Sequence, residues 1–342
     1  MKQHLNTLFV TTEGAYLARR GEAVEVRIED EVKLHLPLHT LGGIVCFGSI
    51  GASPWLLGRC AELGVTVSFL SQTGRFLAAV HGFTPGNVLL RREQYRRADD
   101  PAAAPAVARA IVAAKLANSR TVLLRAARDA PAGPNRAGLR EAAALLARGV
   151  ERAQSAGSLD VLRGIEGEGA NAYFSVFGDL IAARAGGFAF DGRNRRPPRD
   201  LVNAMLSFTY ALLAHDARAA CAAAGLDAAV GFLHRDRPGR PGLALDLMEE
   251  FRAFLADRLV LSLINRQQVS PDGFRDEDGA VRMNDATRKT LLVAYQRRKQ
   301  ETITHPFLGE ETTVGLLPHL QARLLARHLR GDLDAYPAFV WR

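Results

Sequence analysis

Two fragments far apart in the chain, GIEGEGANAYF at 164–174 and GFLHRDRPGRPGLALDLMEEF at 231–251, together carry the residue types of one metal site. The first offers Glu166. The second offers His234, a Gly/Pro-rich turn, and then Asp246, Glu249 and Glu250 opening a helical pattern. Residues three and four apart share a helix face, so Asp246 can lie on one face with Glu249 and Glu250. Carboxylates with one imidazole suit a hard divalent cation such as Mg²⁺ or Mn²⁺. In a basic protein that combination points to phosphodiester chemistry.

Each of these residues also has an ordinary reading. A helical Glu is commonly solvated, a lone His is commonly structural, and acidic residues in a first helical turn complement the macrodipole. One observation shifts the balance. LALDLMEEF is otherwise almost wholly apolar, so Asp246 is expected at least partly out of solvent, where a carboxylate requires a partner, a proton or a metal. Gly164, Gly167 and Gly169 surround Glu166 within a helical run, and each costs about 1 kcal/mol against Ala there. Close approach of another backbone or of a phosphate would account for them. They are not a phosphate loop, because no strand precedes them and no Lys-Ser/Thr follows.

Arginines cluster beside both fragments: Arg193, Arg195, Arg196 and Arg199 in one loop, and Arg235, Arg237 and Arg240 in the turn after His234. Guanidinium forks pair with phosphates, so these seven are candidate DNA contacts. A solvated loop in an Arg-rich protein is the competing reading.

The elements that must position these groups divide into two parts. Residues 1–85 read as short β-type runs between turns: LFVTT, AYLARR, EAVEVRI, VKLHLPL, GGIVCFG, VTVSFL and RFLAAVH. AVEVRI alternates as a half-buried strand should. Ser53 before Pro54 caps a short helix through Glu62. RREQYRR at 91–97 and ADDPAAAP follow, and residues 86–104 are expected to be a linker. From 105 to 342 the pattern is helical. Ser158 is expected to cap a helix that contains Glu166 and ends at Gly186–Gly187, and Asp200 one that runs through LVNAMLSFTYALLAHDARAACAAAG. Later helices are expected at 246–268, 282–299 and about 312–330. The fold class is therefore α+β, a small β-rich domain followed by a larger all-α one.

Composition narrows the class further. With 342 residues the chain is long enough for two domains. The net charge is +8. Residues 1–85 hold seven Lys/Arg and seven Asp/Glu, so the whole excess lies beyond them, a charge asymmetry that hints at nucleic-acid binding. No run reaches the roughly 18 apolar residues of a membrane span, and MKQHLNTLFVTTEG does not read as a signal peptide. Cys46, Cys60 and Cys221 are odd in number and lack CxxC spacing, which argues against a disulfide framework or structural zinc and for a cytoplasmic location.

With these motifs assembled, the chain resembles the CRISPR-associated integrase of spacer acquisition, the Cas-one family, and most of all its members from type I systems. The likeness covers nearly the whole length: LNTLFVTTEGAYLARRGE, LPLHTLGGIVCFG, the EG motif at Glu166, DLVNAMLSFTYALL, GFLH and LALDLMEEFR, with GNVLLRREQYRRADD resembling the type I members. The resemblance implies metal ligation by Glu166, His234 and Glu249. It implies that Asp246 is needed for activity, at or beside the metal, and that Asn203 is structural or near the site. It further implies Mg²⁺ or Mn²⁺, a homodimer formed by the β-rich domain, and a small ferredoxin-like dimeric partner of CRISPR acquisition. The substrates would be double-stranded and branched DNA. The reaction it implies joins the 3′-hydroxyl of captured DNA to a phosphodiester at a CRISPR repeat end, with endonuclease cleavage when water replaces the hydroxyl.

Two other functions stay open at this point. His215–Asp216 is a literal HD pair, as in HD-type metal phosphohydrolases, although the nearest upstream histidine, His81, falls in the β-rich region. A catalytically silent DNA-binding scaffold would explain the charge alone.

Overall fold

A computed structural model describes residues 6–72, 76–80, 82, 88–182, 185–195 and 197–341. Contacts divide the chain into two units, Met1–Gly86 and Asn87–Arg342. The boundary read at residue 85 falls outside the described residues.

The first unit holds two four-stranded sheets. β1 (Asn6–Val10), β5 (Leu41–Phe47), β7 (Thr66–Leu70) and β8 (Phe76–Val80) form one in the order β1-β5-β7-β8. The other has the order β4-β3-β2-β6, from β2 (Tyr16–Arg20), β3 (Ala23–Ile28), β4 (Glu31–Pro37) and the two-residue β6 (Gly51–Ala52). β1 pairs parallel with β5 and β5 with β7, while β2, β3 and β4 form an antiparallel meander. α1 (Pro54–Leu63) starts as its sequence indicates, with the Ser53 hydroxyl accepting from Leu56 N, and ends on Gly64 in the left-handed region at φ 73°. Leu17, Val24, Leu38, Ile44, Leu56 and Val67 are fully buried at the centre of this core. Strand β3 departs from simple alternation. Glu25 is buried among the apolar residues, and Arg27 and Arg20 reach over it at 2.9 and 3.2 Å.

The second unit is mostly helical: α2 (Val88–Asp99), α3 (Ala104–Asp129), α4 (Pro134–Ser155), α5 (Leu159–Ser175), α6 (Leu201–Ala223), α7 (Gly242–Glu249), a π-helical stretch Arg252–Asp257, and α8 (Arg258–Asn265). After it come a hairpin of β9 (Phe274–Glu277) and β10 (Ala280–Met283), then α9 (Asp285–Gln300), a second small ribbon of β11 (Thr302–Thr304) and β12 (Glu311–Thr313), and α10 (Leu317–Leu329). The segment expected as a linker is structured. From Val88 to Asp99 it is helix α2, whose buried Gln94 donates to the carbonyls of Asp227 and Val230 and accepts from Asp227 N. The helix carrying Glu166 also ends earlier than expected, at Ser175 rather than near Gly186, and a 3-10 turn Phe177–Leu180 follows.

Helix α3 lies against α4, α5 and α7. Leu116 sets its register: a Cβ on Gly169 of α5 would fall 2.2 Å from Leu116 Cδ2, and one on Gly149 of α4 would fall 3.0 Å from Cδ1. At Gly169 a side chain would have to push Leu116 aside, so glycine keeps that wedge in place. Lys115 precedes Leu116 and Glu166 stands one turn before Gly169, so the same packing brings Lys115 alongside Glu166. No helix among the described residues is long and apolar enough to cross a membrane.

Candidate metal centre

Helix α5 supplies Glu166 from a run capped by Ser158, whose hydroxyl accepts from Val161 N. Helix α7 supplies Asp246 and Glu249 on one face. Between them, the segment 231–241 folds back on the start of α7 through two glycines. A Cβ on Gly231 would stand 2.7 Å from Asp246 Oδ2, and a Cβ on Gly242 would stand 2.6 Å from Ala229 O. This close crossing is what delivers His234 to the carboxylates.

Asp246 is fully buried and accepts from the backbone N–H groups of Phe232, Leu233 and His234 at 2.5, 2.9 and 3.0 Å. Its Oδ1 also lies 2.6 Å from His234 Nδ1. An ionised carboxylate cannot donate, so Nδ1 carries the proton in this contact, and the neutral imidazole then keeps the Nε2 lone pair for a metal. Asp246 therefore orients the imidazole, as the outer partners of metal-binding histidines do. Arg163 on α5 fastens the same segment, donating from Nε to Leu233 O at 2.7 Å.

Glu166 and Glu249 converge on one cation. The Lys115 ammonium bonds Glu166 and stands 2.6 Å from Glu249 Oε2. Arg252 donates to the other oxygen, Oε1, at 2.7 Å. Burial works to raise the Glu249 carboxyl above the usual carboxylate range, but Arg252, Lys115 and His234 outweigh it and hold the group well below that range. Glu249 Oε2 is buried, with the Lys115 ammonium as its partner.

Glu250 does not join this face. It is buried the other way, accepting from Tyr336 Oη at 2.5 Å, Phe339 N at 2.6 Å and Gln321 Nε2 at 2.9 Å, with burial pushing its carboxyl up to about 7.

Among the described residues, no three His, Cys, Asp or Glu side chains converge as a ready-made ligand set. The donor chemistry still fits a hard cation: two carboxylates meet at a buried positive charge, and one of them, Glu166, shares a recess with the oriented imidazole of His234. That recess, an open cavity of about 270 Å³, is lined by Arg163, Glu166, Leu233, His234, Arg235, Arg237 and Arg240.

Of the seven arginines read as DNA contacts, Arg237 and Arg240 line the cavity directly. Arg235 does too, while its guanidinium pairs with exposed Asp160 at 2.8 Å. Arg195 and Arg199 are exposed on their loop, and Arg196 lies outside the described residues. Arg193 is placed differently from the exposed arginines of its loop. Its guanidinium is turned inward onto Asn194 O, Asn203 Oδ1 and Ser207 Oγ, 5.3 Å from the Tyr210 ring centroid. Those bonds hold the loop to α6. Asn203, fully buried, serves the same loop, donating to Gly192 O and Asp200 Oδ2.

The family model described as CRISPR associated protein Cas1 matches residues 8–297. The chain belongs to this family. A CRISPR-associated endonuclease Cas1 from Chlorobaculum tepidum is 55% identical over the full length of both chains. In fold, the chain is similar to a casposase bound to integration product, with TM-score 0.84 and 22% identity over 99% of this chain and 95% of that one. It is also similar to a chain of a Cas6-RT-Cas1–Cas2 complex, with TM-score 0.83 and 24% identity over 100% of this chain and 36% of that one.

Two site residues escaped the Cas1 reading of the sequence, Lys115 and Arg252. A signal for each was present. Lys115 is a single charge in the apolar run AIVAAKLA, the same anomaly that marked Asp246, and Arg252 follows Glu249 by three residues. The HD pair is accounted for otherwise: Asp216 is taken up by Tyr295 Oη at 2.8 Å and Lys299 Nζ at 3.0 Å.

Proposed function

We propose that this chain is a divalent-metal-dependent DNA integrase and endonuclease of CRISPR spacer acquisition. It joins 3′-hydroxyl ends of captured DNA to CRISPR repeat ends by direct transesterification, without a covalent enzyme intermediate. The observation that carries this reading is the convergence of Glu166 and Glu249 on one buried positive charge beside His234, in a recess walled by arginines. The name of the Chlorobaculum relative supports nuclease chemistry, and the casposase likeness shows the fold on which the reading is built.

Glu166, His234 through Nε2, and Glu249 would hold Mg²⁺ or Mn²⁺. When bound, such an ion polarises the scissile phosphate and stabilises the leaving oxygen. The chain's own groups do the rest. Asp246 keeps the proton of His234 on Nδ1 and fixes the ring. Arg252 holds the Glu249 carboxylate from the protein side. Arg237 and Arg240, with Arg235, meet the phosphodiester backbone, and Arg163 keeps the His234 segment seated on α5. Water in place of the hydroxyl gives hydrolysis at the same site.

The proposed assembly is a homodimer through the β-rich unit, working with a small ferredoxin-like dimeric acquisition partner on double-stranded and branched DNA in the cytoplasm. Trp55, 80% exposed on α1, and Leu77, 51% exposed on β8, are apolar surface in that unit of the kind a subunit contact covers. The test is strand transfer of a 3′-hydroxyl duplex into a repeat-containing plasmid, with and without chelator. Transfer that depends on Mn²⁺ or Mg²⁺ supports the proposal, and transfer undiminished by chelator contradicts it.

A further inference from the structure

We propose that Lys115 is the resident counter-cation of this centre: its ammonium bridges Glu166 and Glu249 in the metal-free protein, and a divalent ion binds there by displacing it. The inference rests on the metal-centre reading above. It adds a competition, built into α3, that sets how readily the ion enters.

Three features of the structure carry it. The Lys115 side chain is only 9% exposed and sits in an apolar helix, so its charge requires the two carboxylates it touches. Those carboxylates come from separate helices, α5 and α7, and one of them is itself buried. Without a cation between them the two negative charges would repel at close range.

Lys115 differs from the other cation on Glu249. Arg252 is fixed on two sides, bonded to Glu249 Oε1 at 2.7 Å and lying 4.2 Å from the centroid of the Tyr210 ring. Lys115 is a compact charge on a flexible four-carbon stem, able to leave its partners without dragging a packed plane along. It also borders a small, partly open space of about 10 Å³, enough for one water-sized group, with Ser119, Tyr173, Tyr210 and Asp257 on its walls. The ammonium has somewhere to go, and a third acidic side chain, Asp257, borders that space.

Calorimetric titration of the full chain with Mn²⁺, in the absence of DNA, reads the competition without relying on activity. Lys115→Met removes the competing charge and is expected to bind Mn²⁺ about tenfold more tightly than wild type, equivalent to about 1.4 kcal/mol. Lys115→Arg keeps the charge and is expected to stay within about threefold of wild type. In chelator, Lys115→Met is expected to melt below wild type and to recover more on adding Mn²⁺. Where Lys115→Met does not fold without metal, Lys115→Gln carries the same expectation. Equal or weaker Mn²⁺ binding by the uncharged variants overturns the inference and leaves the metal centre standing. No Mn²⁺ binding by wild type or any variant overturns the metal centre and this inference with it.

Discussion

Asp246 Oδ1 lies 2.6 Å from His234 Nδ1, and the same carboxylate takes three backbone N–H groups from residues 232–234. One buried side chain thus shapes the turn and orients the imidazole of His234. Asp246→Asn keeps the volume but offers a poorer acceptor. Its expected effect is a loss of about 10- to 100-fold in strand transfer or in Mn²⁺ affinity, with the helical circular dichroism signal retained. Wild-type activity in this variant would remove Asp246 from the account.

The glycines around the site divide by what surrounds them. Gly231 has Asp246 Oδ2 and the Gly242 carbonyl carbon at 2.7 Å from any added Cβ, so Gly231→Ala is expected to cost about 1–3 kcal/mol and to lower activity through a displaced Asp246. Gly164 has nothing within 4 Å of an added Cβ, and Gly164→Ala is expected to stabilise α5 by up to about 1 kcal/mol. Thermal melting of both variants checks the pair. Activity lost by Gly164→Ala despite a higher melting point would show that DNA approaches α5 at that position.

Asp257 gives a pH dependence of defined sign. Burial pushes its carboxyl up to about 6, against the hydrogen bond donated by Tyr210 Oη at 2.5 Å. A carboxyl that binds its proton more tightly folded than unfolded contributes stability at pH values below its ordinary range. That contribution is lost as pH rises through about 6. Asp257→Asn lacks this titration. The stability of the variant minus that of wild type should therefore increase between about pH 4 and 6 and level off above, by at most about 3 kcal/mol. Denaturant melts across that range read it. A difference that is flat or falls with pH would refute the protonated, buried Asp257.

Much of this architecture was legible in the chain. Alternation in β3, the Ser53, Ser158 and Asp200 caps, and the single charge in LALDLM each follow from local chemistry, and the structure has β3, α1, α5, α6 and a buried Asp246 where they point. What was missed depends on tertiary partners. Helix α2 looks like a basic linker because its anchor is the amide of Gln94 on distant carbonyls. Arg193 and Arg199 are indistinguishable in sequence, and only Asn203 and Ser207 on the next helix turn Arg193 inward. Glu249 and Glu250 are adjacent and identical, yet the 336–339 segment draws Glu250 to the opposite side. The β9–β10 hairpin is four residues a side, too short for a period to show, although Asp278–Gly279 at its turn was a local signal.

The segment 336–341 also braces the site from behind. Asn118, one turn beyond Lys115 on α3, donates to Glu250 O at 2.7 Å and Phe339 O at 2.9 Å and accepts from Trp341 N at 2.7 Å. Asn118→Ala leaves buried carbonyls unpaired and is expected to destabilise the fold by about 1–3 kcal/mol or more. Trp341→Ala, which loses the Arg125 and Arg258 guanidinium contacts at 3.8 and 4.3 Å from the ring centroid, is expected to cost about 1 kcal/mol per stack. Chemical denaturation of both variants would expose a loose segment as changes within error of zero.

The most direct test of the central claim is cleavage and strand transfer on branched DNA in Mn²⁺ by wild type, Glu166→Ala and His234→Ala side by side. The expected result is activity in wild type that disappears in both variants and in chelator, while all three proteins keep the same melting profile of the β-rich unit. Activity that survives both substitutions would place the chemistry elsewhere and contradict the metal centre built from Glu166, His234 and Glu249.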